Sequence, residues 1–321
     1  RILRHLYYPS MYSREDSVID ACEGTYAWIL EETADRDDGN ALANWLRKDS
    51  GVFHISGRPG TGKSTLMKLL LRHPRTMREL ETWAGDGGSK LVFGHFFFWN
   101  SGDEPQRSWD GLYRSLLFET LRKCPDLIPT VFPRPYKAFS RSGFQDSMDG
   151  IYFRRDDYVD AFNRLVSTSP GPEYRLCFFI DGLDEIGAQD SFVYQTLADS
   201  LVTGSSSENV KILATSRPYF QFQDSIFSSQ RLRLDELTSH DIRVFGLNTF
   251  KKRKRLTDEI QSAYPALVER VVDKAEGVFL WAHLVVNSLI RLVCSTNRWR
   301  HSRDGWTRVH KILPIYTPIY S

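Results

Sequence analysis

Short apolar runs alternate with longer amphipathic stretches along this chain, and that alternation predicts an α/β fold. Residues 52–55, 91–99, 175–181 and 210–216 are apolar nearly throughout, as strands covered on both faces of a parallel sheet should be. Residues 231–234 alternate, which fits a short edge strand. Between these runs the spacing predicts helices starting at Ser64 and over 109–122, 156–166 and 192–201. Ser108 is the expected N-cap of the second, and Leu112, Leu116, Leu117 and Leu121 its buried stripe. Before the first strand, Ser13 opens a predicted helix with Val18, Ala21, Cys22, Tyr26 and Ile29 on one face. Residues 34–40 read as loop and 41–48 as a short helix. The polar stretch 76–88 reads as a connection, and 124–150, with Pro125, Pro129, Pro133 and Pro135, as irregular chain.

From Thr238 the pattern becomes helical only, with helices expected over 239–251, 257–274 and 278–293. Thr238 and Asp241 have the spacing of a capping box at the first of them. The expected organisation is therefore lead-in helices over 1–50, a mainly parallel sheet flanked by helices over 51–235, a small all-α subdomain over 236–293, and an irregular basic tail over 294–321.

Chemistry enters at the first strand's exit. Gly57-Arg58-Pro59-Gly60-Thr61-Gly62-Lys63-Ser64 fits the phosphate-loop pattern G-x-x-x-x-G-K-[ST] at every fixed position, with Thr65 next in the helix start. The glycines let the backbone curl until its N–H groups point at phosphate oxygens. The helix N-terminus adds partial positive charge. Lys63 is then the expected ligand of the β- and γ-phosphates and the Ser64 hydroxyl of Mg2+. A glycine-rich turn with a chance Lys-Ser is the competing reading, and the flanking strand and helix argue against it.

The third strand ends in Asp181-Gly182-Leu183-Asp184-Glu185. A carboxylate at the C-terminal end of a parallel strand lies at the ligand edge of an open α/β sheet. Asp181 is the expected Mg2+ residue, acting through water. Asp184 and Glu185 are the candidates for orienting or deprotonating an attacking water. Taken alone such a run is an acidic turn; the upstream phosphate loop gives it meaning. Arg217, in Thr215-Ser216-Arg217-Pro218 after the fourth strand, is placed to reach a γ-phosphate, the bland alternative being an exposed strand-end arginine.

These three motifs together resemble the NACHT branch of the STAND P-loop NTPases, and within it fungal NOD-like receptors with a nephrocystin-3-like N-terminal nucleotide domain. Further similar text lies at Arg14, Thr25 to Trp28, His95 to Asn100, Gly111 to Leu117 and Gly277 to Ala282, so the resemblance spans about residues 3 to 293. It implies an ATP/ADP-switched signalling module with slow Mg2+-dependent hydrolysis, a weak nucleoside-triphosphatase that self-associates when ATP-bound and acts through effector and sensor partners. It also implies that Arg14 and Thr25 approach the nucleotide. Where many relatives hold a proline against adenine, this chain has Phe279. No Asn-Lys-x-Asp guanine-reading motif and no Leu-Ser-Gly-Gly-Gln signature occurs, so ATP is the expected nucleotide. A motor ATPase and a nucleotide-stabilised scaffold without turnover are the alternative readings.

Composition changes little. A net charge of +2 over 321 residues carries no whole-molecule field and argues against nucleic acid as partner. The run Lys251 to Arg255 reads as a solvated helix end. Cys22, Cys124, Cys177 and Cys294 are too scattered for a disulfide frame or zinc site, which suits reduced thiols in a cytoplasmic protein. No run reaches the ~18 apolar residues of a membrane span. The start at Arg1 reads as a fragment, and the loss of resemblance over 294–321 as a truncated or wrongly spliced end.

Overall fold

The computed structural model describes residues 1–30, 37–85, 88–141, 153–167, 173–187, 207–218, 230–253 and 258–295. The helix expected over 192–201 and the tail from 296 lie outside them.

After two five-residue helices, α1 (Ile2–Leu6) and α2 (Ser13–Ser17), come α3 (Asp37–Arg47), β1 (Gly51–Ser56), α4 (Lys63–Arg72) and α5 (Pro74–Ala84). They are followed by β2 (Lys90–Phe97), α6 (Trp109–Lys123), α7 (Ile128–Val131), α8 (Pro133–Arg141), α9 (Arg155–Ser167), β3 (Tyr174–Asp181), β4 (Val210–Ser216) and β5 (Arg231–Arg233). The chain continues through α10 (Leu234–Leu237), α11 (Ser239–Lys251), α12 (Asp258–Ala275) and α13 (Phe279–Ser295). The sheet order is β2-β3-β4-β1-β5, with β2, β3 and β4 parallel and β5 at the edge, as its alternating pattern predicts.

Two compact units result. One comprises Arg1–Asp20, Trp28–Ile55 and the described residues of Ser64–Leu232; the other Ala21–Ala27, Ser56–Lys63 and the described residues from Arg233 onward. In the first, the core is aromatic and aliphatic: Phe96, Phe98, Phe178, Ile180, Ile212 and Ala214 from the strands meet Leu112, Leu116, Leu117 and Leu121 of α6. Ser108 caps α6 as expected, its hydroxyl accepting from Gly111 N at 3.2 Å. In the second, α11, α12 and α13 pack around Ile242, Phe245, Val268, Val271, Val285 and Val286.

Five local expectations fail. The helix opened at Ser13 stops at Ser17, because Val18 is extended and Gly24 and Tyr26 take positive φ. The loop expected over 34–40 is already helical from Asp37. The connection expected over 76–88 is instead α5: Pro74 supplies its first turn, the ring nitrogen of His73 accepts from Arg75 N at 3.2 Å, and Leu80 and Trp83 are buried. The prolines of 124–141 do not prevent helices, because Pro125, Pro129 and Pro133 sit in first turns where the missing N–H is harmless. The capping box at Thr238 does not form either: the Thr238 hydroxyl donates to Gly277 O at 2.9 Å, and Asp241 accepts from Tyr26 N instead.

Strand β4 is buried along its whole length although it contains Lys211. The Lys211 ammonium donates to the carbonyls of Trp45 and Leu46 in the last turn of α3, which have no helical partners of their own. Its Nζ lies 4.3 Å from the Trp83 ring centroid and 5.3 Å from that of Trp45. Burial pulls its pKa down to about 7. Replacing Lys211 with Met removes a buried donor and leaves two carbonyls bare, an expected loss of about 1–3 kcal/mol. In the unfolded chain lysine titrates near ~10.4. Between about 7 and that value the unfolded state therefore holds the extra proton, and wild-type stability rises with pH relative to K211M. Denaturant melts at several pH values check this; parallel curves for the two proteins would count against it.

Candidate functional site

The glycines of residues 57–63 do what the pattern requires. Gly60 and Gly62 take φ of +76° and +96°, conformations that cost other L-residues energy. The Thr61 hydroxyl donates to Arg58 O at 2.9 Å, tightening the turn. Lys63, the first residue of α4, folds back and donates to Gly57 O at 2.6 Å and Arg58 O at 3.1 Å. The loop is thus a closed ring around its own lysine, leading directly into the α4 N-terminus that carries Ser64 and Thr65.

Within its unit the loop is held at several points. Arg58 pairs with Glu276 at 3.1 Å and with the buried Asp235 at 3.6 Å, and Arg233 also pairs with Asp235 at 3.1 Å. Gly60 O accepts from Leu280 N, in the first turn of α13, at 2.8 Å. A Cβ on Gly60 would press on Leu280 and Val278, and one on Gly62 would collide with the Tyr26 hydroxyl. Pro59 is exposed in this loop. Glu276 holds φ +45° and Gly277 φ +81°; a Cβ on Gly277 would strike the carbonyl of Asp235. The contacts of Asp235, Glu276 and Leu280 with the loop carry no short-range sequence signal, because all three lie more than 170 residues downstream.

The other unit contains the strand-end carboxylates. Asp181, at the end of β3, is 1% exposed, and its Oδ1 accepts from the Thr215 hydroxyl at 2.6 Å. That hydroxyl in turn accepts from Gly182 N at 2.9 Å, so one threonine at the end of β4 sets both the carboxylate and the turn after it. Gly182 takes φ +73°, which sends the chain into the short 3-10 turn Leu183–Glu185. Asp184 accepts from Arg217 N at 2.9 Å and pairs with Arg217 Nε at 3.0 Å. Glu185 Oε2 accepts from Asn100 N at 3.2 Å. Burial raises the pKa of Glu185, against the pull of the Asn100 amide and of Arg14. Arg14 lies 5.6 Å over the Trp99 ring. Behind this edge, the buried His54 ring and the Ser216 hydroxyl lie 2.8 Å apart.

The strand-end group thus brings together Asp181, Asp184, Glu185, Arg217 and Arg14. Thr25 differs: its hydroxyl donates to Cys22 O at 2.7 Å within its own turn, and its neighbour Tyr26 is the residue that meets the phosphate loop. Thr215 and Tyr26 are the site residues the sequence reading did not single out. The Asp-Gly spacing after β3, which leaves an N–H needing an acceptor, was the available signal for Thr215.

A mainly parallel sheet with the phosphate-loop motif directly after its first strand defines a P-loop NTPase fold. The chain belongs to the nephrocystin 3, N-terminal family, whose sequence profile matches residues 24–217, more than half its length. No curated protein matches it. Among solved structures it is similar to Cdc6p from Pyrobaculum aerophilum, with 14% identity, a TM-score of 0.40, and coverage of 83% of this chain and 63% of that one. The Aeropyrum pernix ORC2 protein is similar at 16% identity and a TM-score of 0.43, covering 92% and 72%. A STAND protein with a tetratricopeptide repeat sensor from Pyrococcus horikoshii is similar at 12% identity and a TM-score of 0.35, covering 85% of this chain and 32% of that one. The chain therefore spans less than two thirds of the Cdc6p length and about a third of the STAND protein. Among the described residues no helix is long and apolar enough to cross a membrane.

The Thr215 contact yields a direct test. Thr215→Val keeps the shape and leaves the buried Asp181 Oδ1 and Gly182 N without this partner, with an expected cost of about 2–4 kcal/mol. Thr215→Ser should keep most of the stability. Thermal melts of the two variants measure the difference; equal melting temperatures would show that the hydroxyl does not hold this edge.

Proposed function

We propose that this chain is an ATP/ADP-binding signalling switch with slow Mg2+-dependent hydrolysis, part of a NOD-like receptor in innate-immunity-type or self/non-self signalling. The observation that carries the nucleotide assignment is the loop of residues 57–63, curled around Lys63 at the start of a ten-residue helix. Gly57, Arg58, Gly60, Thr61 and Gly62 present backbone N–H groups to phosphate, Pro59, which has no N–H, shapes the turn between them, and Lys63 exchanges carbonyl partners for β- and γ-phosphate oxygens. Thr65 adds a further amide in the first turn of α4. Arg14 and Thr25 belong to the nucleotide site in this reading, Thr25 through its backbone because its hydroxyl is engaged by Cys22 O.

The donor set suits Mg2+. Ser64 and Asp181 offer a small set of hard oxygens, Asp181 as a buried strand-end carboxylate. That is the coordination Mg2+ favours, with most sites left to water and phosphate. When bound, the ion neutralises phosphate charge. Asp181 is held for this role by Thr215. Glu185, whose pKa burial raises so that its carboxylate is a stronger base, orients and deprotonates the attacking water, with Asp184 beside it. Arg217 reports the γ-phosphate by trading its Asp184 pair for phosphate oxygens.

The switch follows from exchange of ADP for ATP, which changes the orientation of the helical unit and permits self-association. Cys22, Cys124 and Cys177 are free thiols, which supports a cytoplasmic setting. Effector and sensor partners act through segments beyond the nucleotide module, and neither a membrane nor nucleic acid is required.

Lys63→Ala is expected to abolish the thermal shift that ATP with Mg2+ produces in the wild type; undiminished ATP affinity in that variant removes the site assignment. Glu185→Gln should retain binding and slow phosphate release by about 10²-fold or more. Unchanged turnover takes Glu185 out of the catalytic role. Wild-type binding without any release supports a nucleotide-stabilised scaffold, and rapid release a motor ATPase.

A further inference from the structure

The short segment Ala21–Ala27 lies along one face of α11, in the same compact unit as the phosphate loop. Its contacts step down successive turns of that helix. Tyr26 N donates to Asp241 Oδ1 at 2.7 Å, Gly24 packs against Val244 and Asn248, Asn248 reaches Glu23 O at 3.5 Å, and Lys252 pairs with the Glu23 carboxylate at 3.2 Å. Positions 241, 244, 248 and 252 share one helical face. The segment is therefore keyed to α11 in a single register.

Tyr26 is the end of that strap, and it is unusual. It holds φ +59°, a left-handed conformation uncommon for a bulky residue. Such strain persists only where the surroundings over-determine it. Here the buried Asp241 fixes the backbone N–H, and the ring, 2% exposed, faces Phe279 at 6.5 Å. The result places the Tyr26 hydroxyl on Gly62, 3.4 Å from its carbonyl and against the Cα where any side chain would collide. Gly62 itself holds φ +96° and precedes Lys63. Burial raises the phenol pKa above the ordinary tyrosine range, so the group remains a neutral donor.

We propose that Tyr26 is a positioning residue for the phosphate site: anchored to α11 by Asp241, it holds Gly62 in the conformation that directs Lys63 and the loop amides at a nucleotide's phosphates. This rests on the nucleotide-binding reading of the loop. It ties the loop's shape to the helical unit through one strained residue, and it gives Gly62 a second reason to be glycine.

The test reads the loop with and without ligand. Hydrogen exchange of the peptide covering residues 57–66 is measured on the wild type, Tyr26→Phe and Tyr26→Ala, with no nucleotide present. Expected are faster exchange of that peptide in Tyr26→Ala and a smaller acceleration in Tyr26→Phe, with unchanged exchange in the α6 peptides. Fluorescent-ATP binding should weaken about tenfold in Tyr26→Ala and severalfold in Tyr26→Phe. Asp241→Ala, placed in the Tyr26→Ala background, should add no further acceleration at the loop. Wild-type loop exchange in a folded Tyr26→Ala overturns the proposal. Should that variant fail to fold, wild-type exchange in Tyr26→Phe overturns it instead. Failure of the wild type to bind ATP would overturn the nucleotide reading and leave the exchange result to judge Tyr26 alone.

Discussion

The contact on which the site depends is the closure of Lys63 onto the carbonyls of Gly57 and Arg58. An ammonium in a tight loop needs acceptors, and the turn it terminates supplies two. That closure sets the ring size, and the ring size demands positive φ at Gly60 and Gly62. A phosphate entering such a loop must replace two carbonyl oxygens with anionic ones. Hydrogen bonds to charged acceptors are roughly twice as strong as neutral ones, so the exchange favours the anion without requiring the loop to be open beforehand.

At the strand ends a different economy of contacts holds. Thr215 serves two partners with one hydroxyl, donating to Asp181 and accepting from Gly182 N. The two strands that carry these groups are adjacent and parallel, so the bond is made at equal depth in the sheet. The consequence is that Asp181 and the acidic turn after it are tied to β4 and Arg217. Arg217 is bound to Asp184 through both its backbone N–H and its guanidinium, which makes that arginine part of the acidic turn and not merely a strand-end surface charge.

The strands and the helical stretch after Thr238 were legible because buried strands are continuously apolar and the helices strictly periodic. The phosphate-loop motif was legible because backbone curl restricts residue type at fixed spacing, and Asp181 because it ends a continuously apolar strand. What was missed is non-local or conformational. Nothing near Pro74 in the sequence says whether a proline ends a helix or begins one; His73 and the buried Trp83 decide it. Residues 13–29 carry a helical stripe, but Gly24 and Tyr26 at positive φ break it. Asp241 has the spacing of a capping residue and is consumed by Tyr26, 215 positions away.

The arrangement of loop contacts also sets how firmly the loop is held. Arg58 to Glu276, Gly60 O to Leu280 N and the Tyr26 contact are separate ties between the phosphate loop and residues of its own unit. The Arg58 pair is half-exposed and is worth little in water, whereas the Leu280 bond uses an N–H of the first helical turn that has no intrahelical acceptor. Each hydrogen bond contributes on the order of 1 kcal/mol, so together they fall in the range of ordinary coupling free energies, about 1–3 kcal/mol. A ligand can shift such an equilibrium only by its differential affinity for the two states. Ties of this size hold the loop in one shape, at a strength that a ligand of ordinary differential affinity could offset.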